Sequence, residues 1–190
     1  MSDNRVTRLY DGDTFEHEGY IFRFQCKHDE DMREPWEEHD GHGIISDWTH
    51  RDKRAGERVL VQDRYGRAKQ YYDIAATIQQ ATKDGWGISE KSEQELETRL
   101  GRKPTKREII AESVEQDYQR MRAWCHDEWH WCGVVVTMIE DINGDAVENI
   151  DASVWGIDGD DQTEYLTETA YELADECIAQ WQEYGATVNE

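Results

Sequence analysis

Two stretches of this chain concentrate side chains that bind metals and move protons. The first is His28-Asp29-Glu30-Asp31 together with Glu37-Glu38-His39-Asp40-Gly41-His42-Gly43. Imidazoles and carboxylates at this density can hold a divalent ion such as Zn²⁺ or Mn²⁺ through two His and one or two acids, with one position left open for water. Such a centre would draw on His28, Asp29, Asp31, Glu38, His39 and His42, with His28, Asp31, His39 and His42 as the ligands. It would serve a metal-dependent hydrolase or nuclease. The spacing matches no specific metal signature, and in a chain with 43 Asp and Glu such neighbours also arise by chance. The structural alternative is an ordered loop packed around Trp36 and Trp48.

The second stretch is Trp124-Cys125-His126-Asp127-Glu128-Trp129-His130-Trp131-Cys132. On a continuous helix His126 and His130 would share a face with an acid between them. Its likeness to HExxH is superficial, because Asp127 stands where that motif has its Glu. The strand-like run from Trp129 onward ends the helix near Cys125 and removes that geometry. The alternative is a helix-to-strand corner plugged by Trp124, Trp129 and Trp131. Asp141-Ile142-Asn143-Gly144-Asp145 and Asp158-Gly159-Asp160-Asp161 carry fragments of a calcium loop without its downstream register, and they read as turns. No glycine-rich phosphate loop and no nucleophile elbow is present. The four cysteines, Cys26, Cys125, Cys132 and Cys177, contain no CxxC pair and read as free thiols of a reducing compartment.

Charge is the dominant property. The 190 residues hold 43 Asp and Glu against 21 Lys and Arg, a formal net charge of −22. Residues 1–50 sum to −8, residues 51–107 to +5 and residues 108–190 to −19, and no Lys or Arg follows Arg122. Such a balance excludes a protein whose whole surface grips nucleic acid or anionic lipid. Eight Trp and 11% aromatic residues exclude an acidic disordered tail. Acids on solvated faces for solubility are the plain explanation. The uneven distribution points further, to an acidic face for a basic partner. The cations around Arg64, Arg67 and Lys69 and along 101–107 could touch single-stranded nucleic acid, or could pair with the chain's own acids.

The elements that must position these groups follow from periodicity and caps. Residues 14–18 and 20–27 form a hairpin around Glu18-Gly19, with Tyr20, Phe22, Phe24 and Cys26 on one face. Residues 28–50 read as a long ordered loop. A second hairpin pairs 58–62 with 68–72. Asp73 caps a helix that stops at Gly85, and Ser89 or Ser92 starts another that ends at Gly101. Thr105 and Glu108 have capping-box spacing, ahead of an amphipathic helix through Ile110, Val114, Tyr118 and Met121. Asn143-Gly144 predicts a type I′ turn between strands 131–141 and 146–157. A last helix over 163–184 has the apolar stripe Leu166, Ala170, Leu173, Cys177, Trp181 and Tyr184. No Lys or Arg lies along this helix to pair with its acids. Three hairpins with interspersed helices predict an α+β fold, an antiparallel sheet with helices on one face, in a single domain of residues 1–190 with any subdivision near 87–105.

The segments 28–43 with Asp47-Trp48, 53–61 (KRAGERVLV), Tyr71-Tyr72-Asp73 and Asp84-Gly85-Trp86-Gly87 resemble small acidic proteins encoded by tailed bacteriophages and prophages. Residues 100–105 (LGRKPT) and 123–137 (AWCHDEWHWCGVVVT) belong to the same pattern, so the resemblance covers about residues 8–140. It carries no assigned reaction and no catalytic residues. It implies a phage accessory protein in the host bacterial cytoplasm. The leading expectation is therefore non-catalytic. The chain is expected to inhibit a basic host protein or nucleic-acid-binding complex, one of defence or nucleic-acid processing, without a cofactor, through an acidic, DNA-like face. The face would be built from Asp158, Asp160, Asp161, Glu164, Glu168, Glu172, Asp175 and Glu176. Neither direct nucleic-acid binding nor membrane association is expected.

Overall fold

A computed structural model describes residues 5–159 and 163–188. In chain order its elements are β1 (Thr14–His17), β2 (Tyr20–His28), α1 (Pro35–Glu38), β3 (Glu57–Gln62), β4 (Lys69–Asp73), α2 (Ile74–Asp84), α3 (Glu90–Leu100), α4 (Lys106–Cys125), β5 (Trp131–Glu140), β6 (Asp151–Asp158) and α5 (Thr163–Val188). The class is α+β, as expected. The three hairpins are present, but they make two sheets: β1-β2-β5-β6 and the separate pair β3-β4. The chain divides into two compact units, Met1–Met32 with Trp129–Glu190, and Arg33–Glu128. The second is an insertion between the two inner strands of the larger sheet. The expectation was a single domain with any subdivision near 87–105, a region that lies inside that second unit.

In the first unit, alternation along β2 and β5 sends Phe22, Phe24, Cys132, Val134, Val136 and Met138 to one face, where they are at most 1% exposed. α5 covers this face with Ala170, Leu173, Ala174, Cys177 and Ile178. Ala170 and Ala174 are fully buried, and their small side chains let the helix lie close to the strands. Each large apolar side chain so buried contributes about 1.5–3 kcal/mol.

The hairpin turns differ from expectation in an instructive way. Glu18 and Gly19 both have positive φ (52° and 85°), so the β1–β2 connection is the two-residue turn of type I′. At the β5–β6 end only Gly144 is left-handed (φ 81°). The predicted type I′ turn at Asn143-Gly144 is not formed. The Asp141 carboxylate accepts the N–H of Asn143 at 2.8 Å and of Asp145 at 3.0 Å, and Gly144 N–H donates to the Asp141 carbonyl. This side chain captures a three-residue loop instead, with Gly144 in the left-handed position. β6 is correspondingly shorter than predicted and starts at Asp151.

In the second unit, β3 and β4 pair antiparallel and bury Leu60, Tyr71 and Tyr72. Asp73 accepts from Ala76 N–H to start α2, and Gly85 ends it at φ 73°. Ser89 caps α3. The Thr105–Glu108 capping box opens α4, which buries Ile109, Ile110, Val114, Tyr118 and Met121. Residues 28–50 are more ordered than a loop: they contain the single turn α1, and Ile45 and Thr49 bridge to β4 at Tyr72 and Lys69.

Candidate functional site

The charge does not divide evenly between the units. Residues 1–32 and 129–190 hold 23 Asp and Glu against 4 Lys and Arg, leaving the insertion close to neutral. Within the insertion the cations meet acids: Arg51 binds Glu57 at 2.6 Å, Arg58 binds Glu115 at 2.5 Å, Arg102 binds Glu108 at 2.5 Å, Lys103 reaches Glu93 at 3.5 Å, and Arg99 pairs with Glu112. These guanidinium contacts hold Glu57, Glu112 and Glu115 below the usual carboxylate range, with Gln119 the larger influence on Glu115. Of the cations that could have served nucleic acid, Arg102 and Lys103 are thus engaged with the insertion's own acids.

The first unit carries its acids outward on α5. Glu164, Glu168, Glu172, Asp175 and Glu176 are exposed, and Asp158 is half-buried at the end of β6. Asp160 and Asp161 lie outside the described residues. The helix places these acids together because Leu166, Ala170, Leu173, Ala174 and Cys177 claim the opposite face for the core. Asp175 accepts from His17 Nε2 at 2.6 Å. The Arg5 guanidinium stands 4.9 Å over the ring of Tyr171, in a shallow groove with Glu168, Glu172 and Asp175. Tyr165, 50% exposed, lies at the start of the acidic run, whereas Tyr184 stacks on Trp181 of the apolar stripe.

The His- and acid-rich stretch is divided. His28, Asp29 and Asp31 belong to the first unit; Glu38, His39 and His42 belong to the second. Asp29 is buried, and its carboxylate accepts the backbone N–H of Asp31 at 3.2 Å and of Gly156 at 2.9 Å, which fixes a bulge at Gly156. Glu38 binds Arg33. His42 Nδ1 lies 2.7 Å from Asp117, a carboxylate that also receives the Tyr72 hydroxyl at 2.6 Å and the Gly43 N–H at 2.8 Å. Burial and the neighbouring Asp117 push the Tyr72 phenol well above its ordinary range. Asp117 was not singled out in the sequence; only its place on the α4 face beside Tyr118 could have indicated it.

Among the described residues, the group of potential ligands drawn within 4.8 Å of one another is His17, Glu18 and Asp175. In the second stretch α4 ends at Cys125, His126 is its C-cap, and His130 immediately precedes β5, so the two imidazoles do not share a helix face. The cysteines are free thiols. Burial pushes Cys125 up to about 12 and Cys177 to about 11, whereas a hydrogen bond from the Cys132 thiol lowers Cys26 to about 7.

No protein-family model, no curated protein and no solved structure matches the chain. Among the described residues, no helix is long and apolar enough to cross a membrane.

Proposed function

We propose that this protein is a non-catalytic phage accessory protein. In this reading it binds and inhibits a basic host protein, one of defence or nucleic-acid processing, by placing the acidic face of α5 in a channel that otherwise holds DNA. The observation that carries the reading is the exposed run Glu164, Glu168, Glu172, Asp175 and Glu176 on one helix. Helical rise spreads these five acids over about 18 Å. That is one charge per roughly 4 Å, close to the spacing of about 3.4 Å per phosphate along one strand of DNA. Tyr165 supplies a large amphipathic side chain of the kind that anchors protein interfaces. The four cations of this unit cannot neutralise its 23 acids, so the potential extends outward and steers a cationic partner.

The test is capture from bacterial lysate on the immobilised protein, followed by elution with duplex DNA and with salt. The expected result is a protein retained at low salt, displaced by DNA, and absent from a Glu168→Lys/Glu172→Lys/Glu176→Lys column. Retention indifferent to salt and to the triple substitution would overturn the reading.

A further inference from the structure

The β2–β5 ladder assembles a set of soft ligands from stretches that are remote in sequence. Cys26 and His28 are two residues apart on β2, so they project from the same face. His28 is paired directly with Cys132 on β5. The neighbouring N–H of Asp29 donates to the Trp131 carbonyl, which makes His28–Cys132 the closer, non-hydrogen-bonded kind of pair, with Cβ atoms about 4.5–5.5 Å apart. His130 lies two residues before Cys132. Its carbonyl accepts the Gly159 N–H at 3.1 Å, so the ladder with the β6 side continues through it. The result is a Cys-x-His segment facing a His-x-Cys segment on adjacent antiparallel strands.

One pair already sits at ligand spacing. The His28 and His130 ring centroids are 4.5 Å apart at 65°, and Cys26 and Cys132 are diagonal neighbours on the same face of the ladder. With Zn–S of about 2.3 Å and Zn–N of about 2.0 Å, a tetrahedral ion separates two sulfurs by about 3.8 Å and two ring centroids by about 5 Å. Gly159 packs tightly at this corner: a β-carbon there would lie 2.3 Å from the His130 carbonyl oxygen and 3.9 Å from the Cys132 sulfur. The four side chains do not form one closed cluster: Cys132 is 1% exposed and His28 and His130 are exposed, so closure of the site turns the two imidazoles toward the sulfurs.

We propose that Cys26, His28, His130 and Cys132 form a four-coordinate site for a borderline-soft divalent ion of the Zn²⁺ class. On binding, each thiol releases its proton to solvent, and two thiolates and two neutral imidazoles hold the ion in a site of net zero charge. All four positions are taken by protein, which makes the site structural, with no open position for a substrate. It pins the end of the β2–β5 ladder where the insertion leaves and rejoins the sheet. The inference is independent of the acidic face of α5.

The experiment is titration of the reduced, metal-stripped full-length chain with Co²⁺, followed by Zn²⁺. The expected result is one equivalent of Co²⁺ with sulfur-to-cobalt charge-transfer absorption and tetrahedral ligand-field bands, displaced by one equivalent of Zn²⁺. Because even outer-shell partners are worth about 10–100-fold in affinity, His28→Ala, His130→Ala and Cys26→Ser should each weaken binding by more than about tenfold. His17→Ala, at the other ligand group, should leave binding unchanged. His28 and His130 are at exposed positions, so those variants keep the fold. Absence of the charge-transfer band, binding indifferent to His28→Ala and His130→Ala, or loss of binding on His17→Ala would each overturn the site.

Discussion

Gly43 lies directly against the ring of Tyr72: a β-carbon at Gly43 would stand 2.1 Å from the Tyr72 hydroxyl oxygen and from Cζ. The same glycine donates its N–H to Asp117, which also accepts from the tyrosine hydroxyl. Tyr72 is fully buried and its ring packs edge-on against Tyr118 at 5.5 Å, so it cannot swing aside. Gly43→Ala is therefore expected to destabilise the insertion by about 2–3 kcal/mol through overpacking. Urea unfolding followed by tryptophan fluorescence checks this, and an unchanged midpoint contradicts it.

Asp117 gathers three donors in a site where its side chain is only 11% exposed. Asp117→Ala leaves the Tyr72 hydroxyl, the Gly43 N–H and His42 without their acceptor, at an expected cost of roughly 3 kcal/mol. Tyr72→Phe removes one donor and leaves the other two satisfied, at an expected cost of about 1 kcal/mol. The double variant should cost less than the sum of the two, because the hydroxyl and the carboxylate share one interaction.

The start of α4 is expected to respond to acid. The Arg102 guanidinium, with the Thr105 N–H and hydroxyl, draws the Glu108 carboxyl down to about 2 from an ordinary 4.5. A carboxylate lowered in the folded state stabilises above its unfolded value, so this contribution is whole above about pH 4.5 and is lost as pH falls toward 2. Glu108→Gln should flatten the pH dependence of helicity across that window. An unaltered acid transition in the variant would contradict the assignment.

On α5, Glu168, Glu172 and Glu176 follow one another at four-residue intervals. Like charges so placed repel by a few tenths of a kcal/mol per pair. The Glu168→Lys/Glu172→Lys/Glu176→Lys chain should keep the fold, and salt should stabilise the wild type more than Glu172→Gln, because screening acts on the repulsion. Thermal melts between 0.05 and 0.5 M NaCl read this directly.

Asp29 is expected to matter to the sheet rather than to a reaction. Its buried carboxylate holds the Gly156 N–H at a bulge where Gly156 has φ 73°. Asp29→Ala should cost about 1–3 kcal/mol by leaving that donor unsatisfied. Loss of the β6 edge in hydrogen exchange should accompany it.

Local chemistry was legible in the sequence and register was not. The Thr105–Glu108 capping box, the Asp73 and Ser89 caps and the glycines that end α2 and α3 each act within four residues, and all are where spacing placed them. Asn143-Gly144 misled because Asp141, two residues upstream, offers a carboxylate that captures a competing turn. Of the two His-rich stretches, the sequence kept together residues that fall in different units and kept apart those that the β2–β5 ladder pairs. His28 belongs with His130 and Cys132, which only the β2–β5 register reveals. The acidic face needed only helical periodicity and the apolar stripe opposite it. The insertion boundaries at Met32 and Trp129 carry no glycine-rich or proline-rich linker to announce them.

One ring contact sets how the chain can assemble. Trp36 and Trp124 pack edge-on with centroids 5.5 Å apart, near the first and last residues of the insertion. During synthesis β2 emerges about a hundred residues before its partner β5, and an open loop of that length slows strand pairing. Once the insertion has folded, the two tryptophans hold its ends side by side, and the loop that β5 must close is kinetically short. The topology thereby couples the two steps: folding of the insertion shortens the loop that β2–β5 pairing must close.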